Sequence, residues 1–257
     1  MLLALRVGPP AAGVNGCSTD TGDLPIPNWL PMSYSSDVGA SRTEEQEDPR
    51  LARRQARMDA ILSVAWDIAE EFGLAAVSLS EVARRVGLRQ PSLYVYVDSK
   101  LGLLDAMFAQ AAHEHLEYMR SVHYSDQPRA AVIQMGHAML HFARERPAKA
   151  QLLFDRTIPG FEPSAESFAL AIDFMDWGRG MLAAAGVTEP GDVDIATVLV
   201  AGVIGVQEAN EPGGDRWAKH LEVLYSMFFN YLDDKSANLE GSTLANDQGV
   251  EAARSGG

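Results

Sequence analysis

A chain of 257 residues, 47% hydrophobic and 8% aromatic, is long enough to bury a sizeable core, and its Ala, Leu, Val and Met content favours packed helices. The formal net charge of −14 argues at first against a nucleic-acid partner, and Cys17, the one cysteine, excludes an intrachain disulfide and a cysteine-based metal site. The longest charge-free apolar run, residues 195–206, spans 12 residues and is too short to cross a bilayer. We therefore expect a cytoplasmic protein with no membrane segment.

Residues 1–49 are rich in Gly, Pro, Ser and Asp and show no sustained period, which predicts a disordered N-terminal extension. The apolar start does not resemble a signal peptide, because Pro9 and Pro10 interrupt it and no basic segment precedes it. The extension is either a regulatory arm or a leader without a role. Four arginines follow at its junction, where a phosphate-contacting segment would lie: Arg50, Arg53, Arg54 and Arg57.

The first predicted helix covers about residues 51–72, where apolar residues recur at helical spacing until Gly73. It has to support the helices that follow, so we expect Ala65, Ile68 and Phe72 to pack on them. Trp66 has the pattern of a core aromatic rather than of a contact residue.

Residues 78–97 predict two short helices joined by a tight turn at Val86-Gly87-Leu88. The first has one apolar face, with Ser78 or Ser80 as its N-terminal cap and Gly87 as the left-handed residue that ends it. Its apolar face consists of Leu79, Val82, Ala83 and Val86.

The second helix opens around Gln90-Pro91-Ser92, where the missing N–H of proline costs nothing. Leu93 and Val97 are predicted to point inward, which leaves amides, hydroxyls and phenols on the outer face. Such groups suit a major groove, because Gln pairs with adenine while hydroxyls and cations hold phosphate. The predicted DNA-binding residues are Arg53, Arg54, Ser78, Ser80, Arg89, Gln90, Pro91, Ser92, Tyr94, Tyr96 and Lys100.

The charge distribution answers the objection raised by the acidic total. Residues 50–100 contain eight Arg or Lys against six Asp or Glu, a net charge of +2, so the remainder carries −16. A mildly cationic segment on an acidic body can meet DNA at one end and be repelled elsewhere.

Residues 53–112 resemble the DNA-binding domain of the TetR family of bacterial transcriptional regulators. The similarity includes Glu70-Glu71-Phe72-Gly73, the turn at residues 86–88, and Ser99-Lys100 followed by an apolar helix. The run Gln90-Pro91-Ser92-Leu93-Tyr94 is especially similar to the recognition helix of the family's tetracycline repressors. Those carry a base-reading arginine where this chain has Ser80, so the resemblance does not imply a shared operator.

Beyond the motif the chain is predicted to be all helical, with helices over about 99–121, 126–146, 147–156, 164–185, 192–209 and 215–232. We therefore predict an all-α protein: a three-helix DNA-binding domain at 50–112, a larger helical bundle at 113–233 and a disordered tail at 234–257. The helix at 99–121 starts in the first domain and ends in the second, where it could act as a lever.

The last two predicted helices could form a dimer interface or complete the core of a single chain. We favour the dimer, because a two-fold site needs two reading heads held about one DNA turn apart, and because the resemblance implies it. The residues assigned to the interface are Val198, Gly202, Gly205, Trp217, Leu221, Leu224 and Phe228.

The bundle is rich in Met and aromatic side chains, which line irregular pockets as well as cores. The resemblance implies a pocket for a small-molecule effector, to which we assign Met119, Met135, Met139, His141, Phe142, Phe154, Phe168, Phe174 and Trp177. His137 and His141 share a helical face but lack the glutamate of a zinc motif, so we expect neither a metal nor a cofactor.

No pairing of a nucleophile with a base stands out, and we expect a protein that is not an enzyme. The sequence predicts a homodimeric, ligand-responsive transcriptional regulator that binds a pseudo-palindromic DNA operator, and we favour a repressor over an activator. An activator or a ligand-independent DNA-binding protein would share every feature of the head.

Overall fold

The computed structural model describes residues 48–155 and 158–255, and within these residues it is helical, with no β-strand. The helices are α1 (Pro49–Phe72), α2 (Leu79–Val86), α3 (Gln90–Leu93), α4 (Lys100–Ser121), α5 (Pro128–Glu145), α6 (Pro147–Phe154), α7 (Ala165–Ala184), α8 (Pro190–Asn210) and α9 (His220–Ser255). A short 3-10 turn, Leu74–Ala76, links α1 to α2. The all-α prediction is confirmed, and helix starts and ends agree with it to within about two residues as far as α8, except that α3 ends at Leu93 where the second helix of the motif was predicted to reach residue 97. The N-terminal extension, up to residue 47, lies outside the described residues.

The described residues divide into two compact units. We call residues 48–118, 146–155 and 158–175 the head unit, and residues 119–145 and 176–255 the bundle unit. The head unit has one hydrophobic core, to which α1, α2, α3, α4 and α6 all contribute. Ile61, Leu103 and Leu104 are fully inaccessible at its centre.

The two helices of the motif form as their local sequence requires. Ser78 is the N-cap of α2, and its Oγ accepts a hydrogen bond from the Glu81 backbone N–H. Gly87 ends α2 with φ of 72°, a left-handed conformation that a residue with a Cβ adopts reluctantly. Val82 of α2 and Leu93 of α3 are both buried in the core that includes residues of α1. Leu93 therefore anchors the short helix α3 in that core.

Two aromatic residues of α1 were predicted to lie in the core, and the structure confirms this for Trp66 but not for Phe72. Trp66 is buried, and its Nε1 donates a 2.9 Å hydrogen bond to Oε1 of Gln110. Phe72 is 58% exposed and lies outside the hydrophobic core that Ala65 and Ile68 join. It lies at the last residue of α1, where Arg85 stacks over it with the guanidinium carbon 5.5 Å from the ring centroid.

In the bundle unit, α5 packs against both α8 and α9. Gly136 permits a close approach to α9, because a Cβ at this position would lie 2.7 Å from Leu221 Cδ2. Tyr225 on α9 is buried, and its hydroxyl donates a 3.0 Å hydrogen bond to the Ala196 carbonyl oxygen of α8. Burial raises the pKa of Tyr225 well above its ordinary value, so this hydroxyl stays protonated and remains a donor.

The last helix differs from its predicted bounds at both ends. It starts at His220 rather than Asp215, and it continues to Ser255 where the sequence predicted an end at Leu232 and a tail without structure. Two ion pairs hold α9 against the bundle unit just after Leu232, where the sequence predicted the end of the helix. Asp233 accepts from Arg129 at 2.6 and 2.8 Å, and Lys235 contacts the buried Asp192 at 2.7 Å. Residues 233–255 contain no proline, so the backbone can continue as a helix through the Ser and Asn residues that indicated disorder.

Candidate nucleic-acid interface

The outer face of α3 carries the predicted base-reading groups. Gln90, Ser92 and Tyr94 are exposed, whereas Leu93 between them is 1% exposed. The helix is a single turn, closed by hydrogen bonds from the Ser92 and Leu93 N–H groups to the Arg89 carbonyl oxygen. A buried leucine thus holds a short projection of polar side chains toward solvent, as a major-groove reader requires.

The start of α2 presents a second polar group beside that projection. Ser80 is exposed, and its Oγ lies 3.3 Å from Oγ of Ser78. Because Ser78 is occupied as the cap of the helix, Ser80 is the hydroxyl of this pair that remains accessible to DNA.

The predicted phosphate-binding cations have different surroundings. Arg53 and Arg89 are exposed. Arg54 lies over Tyr96, with its guanidinium carbon 5.9 Å from the ring centroid, so the two predicted contacts form one unit. Lys100 is partly buried and donates from Nζ to the Ala75 carbonyl oxygen at 3.1 Å.

Arg84 and Arg85 on α2, beside the outer face of α3, both contact Glu81. Arg84 Nε and Nη2 lie 2.8 and 2.6 Å from the two carboxylate oxygens, and Arg85 Nε lies 2.8 Å from Oε1. Glu71 adds a further contact to Arg85 at 3.0 Å. The two arginines hold the pKa of Glu81 at about 2. The spacing of i, i+3 and i, i+4 could have predicted this cluster from the sequence.

Val95 is a part of this surface that the sequence analysis did not identify. It follows Tyr94 and is 64% exposed. Val95 lies two residues from each of the buried residues Leu93 and Val97. It falls in the turn after α3, where the sequence has no helical period from which its exposure could be predicted.

The residues assigned to an effector pocket divide between the two units. Met119, Met135, Met139 and Phe142 are buried in the bundle unit, and His141 is exposed there. Trp177, also in that unit, lies with its ring centroid 5.7 Å from that of Tyr124. Phe154, Phe168 and Phe174 belong to the head unit.

His115 is the most perturbed titratable group of the head unit, although it was not among the assigned pocket residues. It is 2% exposed, with the rings of Phe154 and Phe174 at centroid distances of 5.2 and 4.3 Å. Burial lowers the pKa of His115 to about 3, so the imidazole is neutral at physiological pH.

The residues assigned to a dimer interface also separate into two groups. Val198 is 58% exposed, and Gly202 and Gly205 have open space around them. Leu221 and Phe228 are buried within the bundle unit, which corrects their assignment to the interface. Their stripe of α9 turns toward the chain's own core, and Leu221 faces Gly136.

The exposed apolar stripe of α9 is the adjacent one, where Val223, Met227 and Tyr231 are 57%, 64% and 46% exposed. Trp217 and Leu224, the remaining two, are partly buried.

Two further properties concern only the part of the chain that the structure describes. None of its helices combines the length and the apolar character needed to span a bilayer. It also contains no cluster of three or more His, Cys, Asp or Glu side chains arranged as metal ligands.

The part of the chain that carries this surface is similar to known proteins. Residues 61–107 match the model of the bacterial regulatory proteins of the tetR family. A stretch of 60 residues is 28% identical to the class D tetracycline repressor protein of Escherichia coli and, equally, to the class H protein of Photobacterium damsela subsp. piscicida. The match covers 23% of this chain and only 28% of each relative.

Solved structures extend the likeness of fold over more of the chain. The regulatory protein SCO4313 superposes with a TM-score of 0.58 at 20% identity, covering 70% of this chain and 98% of its own. A protein of unknown function from Rhodococcus sp. RHA1 gives 0.57 at 18% identity, with coverages of 68% and 94%. At these identities the likeness concerns the fold alone. Residues 61–107, which include the helix-turn-helix segment and its exposed polar projection, are thus similar to the tetR family of bacterial regulatory proteins.

Proposed function

We propose that the protein is a ligand-responsive regulator that binds a pseudo-palindromic operator as a homodimer and releases it when a small molecule binds. The main support for DNA binding is that Gln90, Ser92 and Tyr94 are exposed while Leu93 between them is buried. These residues lie within the segment that matches the family model. Polar groups on a rigid short helix have no structural role of their own in this core, and they suit base edges and phosphates.

A pair of identical chains would use the exposed apolar face of the bundle unit. On α8 this face has Val198 and the open positions Gly202 and Gly205, and on α9 it has Val223 and Met227. Small residues allow another helix to approach closely, and the apolar side chains around them would leave water on association. A two-fold pairing of this face would present two copies of α3 to successive major grooves.

The dimer is tested by placing a charge on this face. Val198→Glu should convert the dimer to a monomer in analytical ultracentrifugation, because a carboxylate would be buried without a partner. Ile172→Glu on α7, also at an exposed apolar position, is the matched control and should leave the mass unchanged. A dimer that persists in Val198→Glu would place the interface elsewhere.

Repression and its release are tested on DNA. A footprint on the intergenic DNA next to the protein's own gene should show a protected site with two-fold symmetry. A reporter driven by that DNA should be silent with the protein and active when an effector is added. Reporter output that rises with the protein would identify an activator, and output that ignores every effector would identify a ligand-independent regulator.

A further inference from the structure

Glu81 is the third residue of α2, and it binds two arginines at the edge of the proposed DNA-reading surface. Both of its carboxylate oxygens accept from Arg84, and Oε1 also accepts from Nε of Arg85. The Arg84 side chain is 69% exposed, so it is reachable from solvent in spite of this contact. Glu81 is ionised at any physiological pH, because its pKa is held at about 2.

Arg84 lies on the side of α2 that faces the proposed DNA. It follows Ser80 by four residues, and side chains at i and i+4 lie one above the other on a helix. Ser80 is the exposed hydroxyl beside α3. An arginine one turn behind it is within a Debye length of a phosphate that Ser80 or Gln90 would approach.

We propose that Glu81 limits sequence-independent DNA binding by cancelling part of the positive charge of Arg84 and Arg85 at the edge of the reading surface. This inference rests on the proposed function. An exposed ion pair is weak, and a phosphate can displace the carboxylate from Arg84. The negative charge nevertheless stays on α2. Because Glu71 also contacts Arg85, this cluster of two arginines and two glutamates carries a net charge of 0, and it would carry +1 without Glu81.

One charge is a large fraction of what this part of the chain offers to DNA. Residues 50–100 carry a net charge of only +2, and the rest of the chain carries −16. Non-specific affinity depends on how many phosphates the protein neutralises, so each uncancelled arginine changes both the affinity and its salt dependence. Phosphate contacts carry no sequence information, so Glu81 should affect operator and random DNA alike.

The decisive variant is Glu81→Gln, which removes the charge and keeps the shape. Glutamine is well suited to the third position of a helix capped by serine, so α2 should form normally, as circular dichroism can verify. Equilibrium binding to a random 30-base-pair duplex is measured from 50 to 200 mM salt. We expect roughly three- to tenfold tighter binding at 50 mM and a plot of log K against log salt that is steeper by about one unit. Glu166→Gln, an exposed acid at the start of α7, is the matched control and should bind as the wild type does.

A double variant shows whether the effect passes through Arg84. Glu81→Gln with Arg84→Gln should lose most of the gain, because the unmasked cation is then absent. An unchanged slope in Glu81→Gln, weaker binding, or a gain that survives removal of Arg84 would each overturn the inference. In these cases wild-type binding to its operator remains intact, and so does the proposed function. If the wild type binds neither operator nor random DNA at 50 mM salt, the proposed function fails together with the inference.

Discussion

Lys100 at the start of α4 donates a hydrogen bond from Nζ to the carbonyl oxygen of Ala75 in the turn after α1, at 3.1 Å. One of its three N–H groups is therefore used to hold the side chain in place, and two remain for a phosphate. A lysine fixed in this way loses less conformational freedom on binding than a mobile one.

Lys100→Ala should weaken binding to operator and random duplexes by the same factor and make the salt slope shallower by about one unit. The measurement is a salt titration of both duplexes by fluorescence anisotropy. Lys219→Ala removes the same charge from an exposed residue of the bundle unit and should leave the slope unchanged. Equal slopes in Lys100→Ala and wild type would show that the ammonium only supports the turn.

Gln90→Ala should relax base preference rather than weaken all duplexes alike. The side chain is exposed at the first residue of α3, and a bidentate contact from its amide to adenine contributes ~1–3 kcal/mol of discrimination. The test compares affinities for operator variants with single base changes in each half-site. Gln151→Ala on α6, also exposed, should retain wild-type discrimination. If Gln90→Ala ranks the variants as the wild type does, Gln90 does not read bases.

The proposed DNA-reading surface was more predictable from the sequence than the packing of the bundle unit, for physical reasons. Gly87 and Ser78 act through the backbone within a few residues, so their roles follow from local sequence. Leu221 carried an equally clear helical period, but a period gives only the side of a helix that is apolar and not the neighbour that covers it. α9 has two adjacent apolar stripes, and the close approach at Gly136 decides which of them is buried.

His115 should make the protein less stable in mild acid. Its pKa is about 3 in the folded protein and about 6.5 when unfolded, so the unfolded chain binds the proton more strongly. The stabilisation is fully present above pH 6.5 and decreases as the pH falls toward 3, by ~2 kcal/mol between pH 7 and 5.

The measurement is urea unfolding of wild type and His115→Phe at both pH values. Phenylalanine suits a site formed by the rings of Phe154 and Phe174, and it cannot be protonated. The variant should lose ~2 kcal/mol less than wild type over this interval. His123→Gln, which changes an exposed histidine, should follow the wild type. The same loss in His115→Phe would mean that other groups cause the acid sensitivity.

Asp105→Asn should destabilise the head unit through the start of α7. The Asp105 carboxylate accepts from the Ser164 N–H at 2.7 Å and from the hydroxyls of Ser164 and Ser167 at 2.8 Å each. An asparagine has one acceptor oxygen, and its NH₂ group would face a donor. We expect a loss of ~1–3 kcal/mol in the free energy of unfolding, measured by urea denaturation. Asp173→Asn changes an exposed carboxylate on α7 and should have almost no effect on the free energy of unfolding. Equal stabilities of the two variants would contradict the role of Asp105.

Gly136→Ala and Gly178→Ala should change stability in opposite directions, although both replace a helical glycine by a better helix former. At Gly136 the new methyl would lie 2.7 Å from Leu221 Cδ2 and 3.3 Å from Tyr225 Cε2, and both neighbours are buried at 1% exposure or less. Forcing α5 and α9 apart should cost ~1–3 kcal/mol in the free energy of unfolding. At Gly178 on α7 the added Cβ meets no atom within 4 Å, so the gain in helix propensity, up to ~1 kcal/mol, should remain. Urea midpoints at equal m-values measure both effects. A Gly136→Ala protein as stable as Gly178→Ala would show that Leu221 can turn aside and that the contact between α5 and α9 does not depend on a glycine.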